Sequence, residues 1–131
     1  MNWRWQMLKV YKVIYPTEFW ECQVEINEDF IVSGPAWEGN CKSAMEGMIA
    51  FWMGGNERLA ENEGNVSKTF AQQLAREAYM ILVERDLTLY GVIEEIGSRE
   101  GWGKPDGSLG YKLIYVDDVE IRHKDFEVEE I

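Results

Sequence analysis

Trp20-Glu21-Cys22-Gln23-Val24-Glu25-Ile26 alternates apolar and polar side chains without a break. Successive strand residues point to opposite faces, so the stretch predicts a β-strand, about 19–26, with one dry face and one wet face. Just upstream, Tyr15-Pro16-Thr17-Glu18 supplies a turn, because proline fixes its own φ. Before that turn, the aromatic and aliphatic residues from Trp3 to Tyr15 predict a partner strand, about 3–15, apolar enough to be covered on both faces. Downstream, Asn27-Glu28-Asp29 turns the chain again ahead of Phe30-Ile31-Val32, a short strand at 30–32 stopped by Ser33-Gly34-Pro35. The first third therefore reads as an antiparallel meander of two or three strands.

Beyond it the period changes. Cys41, Met45, Met48, Ile49 and Trp52 share one stripe of a helix, about 41–54, that starts near Asn40 or Ser43. Gly54-Gly55 weakens or ends it, and Glu57 to Ala60 resume a helix past the kink. After the loop Asn62-Glu63-Gly64-Asn65, whose asparagine is a cap, Val66, Phe70, Leu74, Ala78, Ile81 and Leu82 trace the second main helix, about 66–85. Gln72, Arg76 and Glu84 fall on its solvent side. Leu87, Leu89, Val92, Ile93 and Ile96 predict a shorter third helix, about 88–96, with Gly91 inside it. Gly97 to Gly110, with five glycines and one proline, reads as a surface loop. Tyr111 to Val116 predicts a strand, about 111–116, that returns to the sheet, and Val119 with Ile121 a further edge piece. The segment 117–131, seven carboxylates against two Lys or Arg, is a solvated end. The whole is an α+β fold in a single domain, 1–131: an N-terminal antiparallel β-meander packed on two main helices, a shorter helix and a C-terminal strand.

Charge narrows the partners. The 131 residues carry 24 Asp and Glu against 13 Lys and Arg, a net charge of -11. That excess repels a phosphate backbone and argues against direct nucleic-acid binding, while it draws a basic protein surface from a distance. A hydrophobic content of 46% supports a packed core rather than disorder. Apolar runs such as Ala78 to Val83 are too short to cross a bilayer, and Met1 to Pro16 has no small-residue cleavage site, so a bacterial cytoplasmic location is expected. Cys22 and Cys41, far apart and too few to staple a domain, read as small buried residues in a reducing compartment.

Little catalytic material is present. The one histidine, His123, lies in the charged end, so neither a zinc site nor a nucleophile triad is expected, and no metal or cofactor. The adjacent carboxylates Glu94-Glu95, Asp117-Asp118 and Glu129-Glu130 read as solvated faces, because such pairs arise readily in so acidic a chain. Gly101-Trp102-Gly103-Lys104-Pro105-Asp106-Gly107-Ser108 lacks P-loop spacing. It is either a turn-rich loop pinned by Trp102 and an Asp-Gly turn, or a recognition loop presenting Trp102, Lys104 and Asp106. Trp52 reads as core, and Arg58 as an ion pair or an anion contact.

Phe51-Trp52-x-Gly54, Arg58-Leu59, Tyr90-Gly91-Val92-Ile93, Glu100-Gly101-Trp102 and Asp106-Gly107-Ser108-x-Gly110-x-Lys112 together resemble the domain of unknown function family twenty-five twenty-eight. The resemblance spans Met48 to Val119 and implies a short protein borne by a phage, prophage or plasmid. It brings no catalytic assignment. It implies binding to a host factor, as anti-CRISPR and other anti-defence inhibitors do.

The leading expectation is thus a non-catalytic binding protein that occupies a basic or nucleic-acid-facing surface of a host defence protein. Its expected contacts are the aromatic anchors Trp102, Trp37 and Trp3 with the carboxylates Asp106, Asp117 and Asp118. Three alternatives stand beside it. A sponge for a nucleotide signal would stack the base on Trp102 or Trp37 and hold phosphate with Arg58 or Lys104, in a pocket joining an aromatic to a basic residue. A small carboxylate enzyme would bring two acids together in a cleft. A structural homodimer would expose an apolar helix face.

Overall fold

The computed structural model describes residues 8–32 and 37–131. Strands β1 (Leu8–Tyr15) and β2 (Trp20–Asn27) form an antiparallel hairpin in register from Leu8↔Asn27 to Tyr15↔Trp20. The alternation in β2 is realised: Trp20, Cys22, Val24 and Ile26 are buried, and Glu21, Gln23 and Glu25 lie on the other face. The helices pack against that dry face. Strand β1 is therefore covered on one side only, and Val10 and Ile14 remain 58% and 54% exposed, against the expectation of two covered faces. The part of that strand predicted before Leu8 lies outside the described residues.

The strand at 111–116 returns to the sheet as expected, while the short strand at 30–32 does not join it. β3 (Ile31–Val32) pairs only with β4 (Gly39–Asn40), in a separate two-stranded ladder. The free edge of β2 is taken instead by β5 (Tyr111–Val116), giving the order β1-β2-β5. At the end of β2 the Asn27 N–H donates to the Gly110 carbonyl at 2.9 Å, which leaves no edge for the next segment in sequence. Val119 and Ile121 join no strand.

Helix α1 (Cys41–Phe51) begins with a reciprocal cap: the Asn40 side chain accepts from the Ser43 N–H at 2.9 Å, and Ser43 Oγ accepts from the Asn40 N–H at 3.0 Å. It stops short of residue 54. Trp52 is extended, Gly54 takes φ +79, and α2 (Gly55–Glu61) restarts the helical path. Gly55 sits so close under the end of α1 that a Cβ there would lie 1.8 Å from the Ile49 carbonyl oxygen. Asn65 caps α3 (Val66–Glu84) through the Lys68 N–H, and Thr88 caps α4 (Leu89–Gly97) through the Gly91 N–H. Phe70, Leu74, Ala78 and Ile81 of α3 are buried in one cluster with Met45, Met48 and Ile49 of α1 and with Cys22, Val24 and Ile26 of β2. Val92 and Ile96 of α4 and Tyr111 and Leu113 of β5 close the cluster. Among the described residues no helix is long and apolar enough to cross a membrane.

Two glycines separate crowding from backbone strain. Gly64 has φ +78 with open space where a Cβ would go, so Gly64→Ala should cost about 1 kcal/mol, from the left-handed backbone alone. Gly55→Ala meets backbone and should cost about 3 kcal/mol or more. Urea denaturation of the two variants checks the order, which a uniform glycine penalty would not produce.

Candidate functional site

The early end of α1 leaves its last carbonyl groups without helical partners. Met48 resolves this through α3: its carbonyl accepts from Gln73 Nε2 at 3.2 Å. Gln73 is buried, and its Oε1 accepts in turn from Arg58 Nη2 at 3.2 Å, while Arg58 Nη1 donates to the Met53 carbonyl at 3.1 Å. The Arg58 guanidinium is thus positioned by two neutral oxygens and by no carboxylate.

These groups line a cleft of about 600 Å³ between the α1–α2 junction and α3, bounded by Trp52, Met53, Arg58, Gln72, Gln73, Arg76, Glu77 and Trp102. The ring centroids of Trp52 and Trp102 stand 6.3 Å apart with their planes at 41°. Gly101 permits that approach, since a Cβ on it would lie 2.3 Å from the Phe51 ring. Trp102 is 7% exposed, and its indole N–H is buried with no acceptor among the described residues. Trp52 is 37% exposed and forms part of the open wall.

Ion pairing sets the cleft apart from the rest of the surface. Arg99 bridges Glu77 of α3 at 2.9 Å and Glu95 of α4 at 3.3 Å, Arg85 also pairs with Glu95, and Arg122 pairs with Glu120 and Asp125. Among the described residues, the two arginines in no ion pair are Arg58 and Arg76, and both line the cleft. A second concavity of about 500 Å³, between β1 and α3, is lined mainly by Val13, Ile14, Tyr15, Trp20, Tyr79 and Met80, with Arg76 at its rim.

The expected site residues fall in several places. Trp102 is buried in the cleft wall rather than presented on a loop, because the 97–110 segment folds inward with Gly103 and Pro105 also buried. Trp37 is half-buried against the core, its ring 3.0 Å from where a Gly47 Cβ would be. Trp3 lies outside the described residues. Lys104 pairs with Glu94 at 2.6 Å, away from the cleft, whereas Arg58 lies in it. Asp106 closes the expected turn by accepting from the Ser108 N–H at 3.0 Å. Asp117 accepts from the Glu21 N–H at 3.0 Å and from the Tyr115 hydroxyl, and Asp118 is exposed. Trp52, expected in the core, leaves it because the helix ends one residue earlier. Gln73 and Arg76 were legible only in part. A glutamine three residues after Phe70 and one before Leu74 interrupts the apolar stripe, and that interruption was the available signal.

Over 103 residues the chain is 28% identical to protein ea10 of Escherichia phage lambda and, equally, to the lambda prophage-derived protein ea10 of Escherichia coli O6:H1, covering 75% of this chain and 78% of each relative. No family model matches the chain, that of the domain of unknown function family included, and no solved structure matches it.

The pairing of α3 with α4 is open to test by pH. The hydrogen bond from Arg99, reinforced by the charges of Arg85 and Arg99, holds the Glu95 carboxyl below the ordinary glutamate range. A carboxyl lowered on folding stabilises the native state above its unfolded value of about 4.3, and that stability is lost as pH falls through the folded value. Glu95→Gln should therefore lower Tm at pH 7, with the gap to the parent chain closing below about pH 4; a gap independent of pH would contradict the ion-pair account. Burial pushes the thiols of Cys22 and Cys41 up to about 12. A disulfide reagent at pH 8 should leave both untouched in the native chain and titrate both in guanidinium.

Proposed function

We propose that the chain is a non-catalytic accessory protein of a phage or mobile element and that it inhibits a host defence component by binding it. The similarity to lambda phage and prophage proteins supports the accessory role. Non-catalytic action is supported by the state of the paired carboxylates, since Glu94 and Glu95 are committed to Lys104, Arg85 and Arg99.

The single observation that carries the binding mode is the C-terminal segment from Asp117 onward. Seven carboxylates there meet two Lys or Arg, and Phe126 and Val128 stand exposed between Asp125, Glu127 and Glu129, with Ile131 exposed after Glu130. Carboxylates steer encounter with a basic surface, and interleaved apolar side chains supply area to bury once contact is made. These exposed apolar residues serve as anchors alongside the half-buried Trp37, whereas Trp102 is buried. The partner is a host protein whose basic face ordinarily meets nucleic acid.

Expression in hosts that carry single defence systems tests this. A restricted phage should recover its plating efficiency in one such host, by about a hundredfold or more if a tight complex forms. The triple variant Glu127→Lys, Glu129→Lys, Glu130→Lys should lose the recovery while keeping the parent circular dichroism spectrum. Recovery unaffected by the charge reversal, or absent in every host, would overturn the proposal.

A further inference from the structure

The cleft carries a second, independent function. We propose that it binds a small nucleotide, a planar heteroaromatic ring joined to one or two phosphates, between the Trp52 wall and the unpaired arginines. Three features of the site point to that chemistry.

First, the wall of the cleft is aromatic and partly open. Trp52 offers an exposed indole, and Trp102 behind it holds a buried N–H that no described residue accepts. Indole faces stack on any heteroaromatic ring.

Second, the cations are held in reserve. In a chain of net charge -11, Arg85, Arg99 and Arg122 outside the cleft meet carboxylates, yet Arg58 and Arg76 meet none among the described residues. Arg58 has spent two of its donors on Met53 and Gln73, and a guanidinium has five, so the fork is pre-aimed with donors to spare. The one carboxylate in the lining, Glu77, is already neutralised by Arg99 at 2.9 Å.

Third, size and overall charge select a small anion. A cleft of about 600 Å³ lies in the range that encloses a ligand of nucleotide size. The long-range field of the protein opposes a polyanion, which would lay its flanking phosphates over acidic surface. A single nucleotide avoids that penalty, so a strand of DNA or RNA is disfavoured on the same observations.

Isothermal titration of the full chain with the ribonucleoside monophosphates, inorganic phosphate, benzoate and an oligodeoxythymidylate decides the matter. Saturable binding of at least one monophosphate is expected, with inorganic phosphate and benzoate much weaker, because each supplies half of the recognised chemistry. Arg58→Gln and, separately, the exposed-site variant Arg76→Gln should each weaken binding about tenfold or more, and Trp52→Phe should retain more affinity than Trp52→Ala. Arg76 is exposed and makes no side-chain hydrogen bond or ion pair among the described residues, so its variant, checked by circular dichroism, keeps the test independent of folding. Absence of saturable binding for every nucleotide would overturn the proposal, as would Arg76→Gln and Trp52→Ala both binding like the parent chain. Preference for the oligonucleotide over all monophosphates would overturn the small-ligand assignment, and equal binding of benzoate would overturn the phosphate role. None of these results depends on the defence-inhibition assay, which reads the C-terminal segment alone.

Discussion

The buried amide of Gln73 ties the molecule together at the point where α1 ends. One end of it satisfies the Met48 carbonyl that the helix abandons, and the other holds the Arg58 guanidinium. A polar side chain in a core is tolerated when both ends are bonded, and each loss would leave a desolvated group unpaired. Met48 is itself a junction: its sulfur accepts from the Tyr111 hydroxyl at 3.3 Å and from the Gly103 N–H at 3.4 Å. A single turn of α1 thereby connects α3, the last strand and the glycine-rich loop. The cleft lies beside that connection, where the chain leaves α1 at Trp52 and Trp102 stands behind it.

Charge is arranged in two regimes. Between α3 and α4 carboxylates and guanidinium groups neutralise one another, with Arg99 serving two elements at once. At the C-terminal segment carboxylates run in excess, while along the cleft Arg58 of α2 and Arg76 of α3 stand in no ion pair among the described residues. The two unbalanced regions have opposite sign and lie on different elements.

The elements were read well where one local period dominated. The alternation of β2, the stripe of α3 and the run of β5 depend on side-chain spacing within one segment, and their boundaries agree to within a residue or so. The failures share a cause. Ile31–Val32 has strand composition, but which edge it joins depends on Gly110, some eighty residues on. Trp52 continues the α1 stripe by spacing, yet Gly55 needs to lie against Ile49, and the helix gives way first. Trp102 sits among glycines as a loop residue would, yet it turns inward against Trp52 and Phe70, with Gly101 giving room beside the Phe51 ring.

The site shows the same division more sharply. Phe51, Trp52, Gly54, Arg58, Gly101 and Trp102 were visible as separate motifs, and the pairing of an aromatic with Arg58 was among the readings open to the sequence. Their convergence on one cleft was not, because it is made by a glutamine on a third element and by ion pairs elsewhere that leave Arg58 and Arg76 over. Residue order by itself determined the α+β class, the helix and strand periods and the acidic balance, since each follows from composition or from neighbours a few positions apart. Only the tertiary structure decided which edge each strand joins, which tryptophans reach solvent and which cations stay unpaired, because those outcomes are settled by competition between groups far apart in the chain for the same partners.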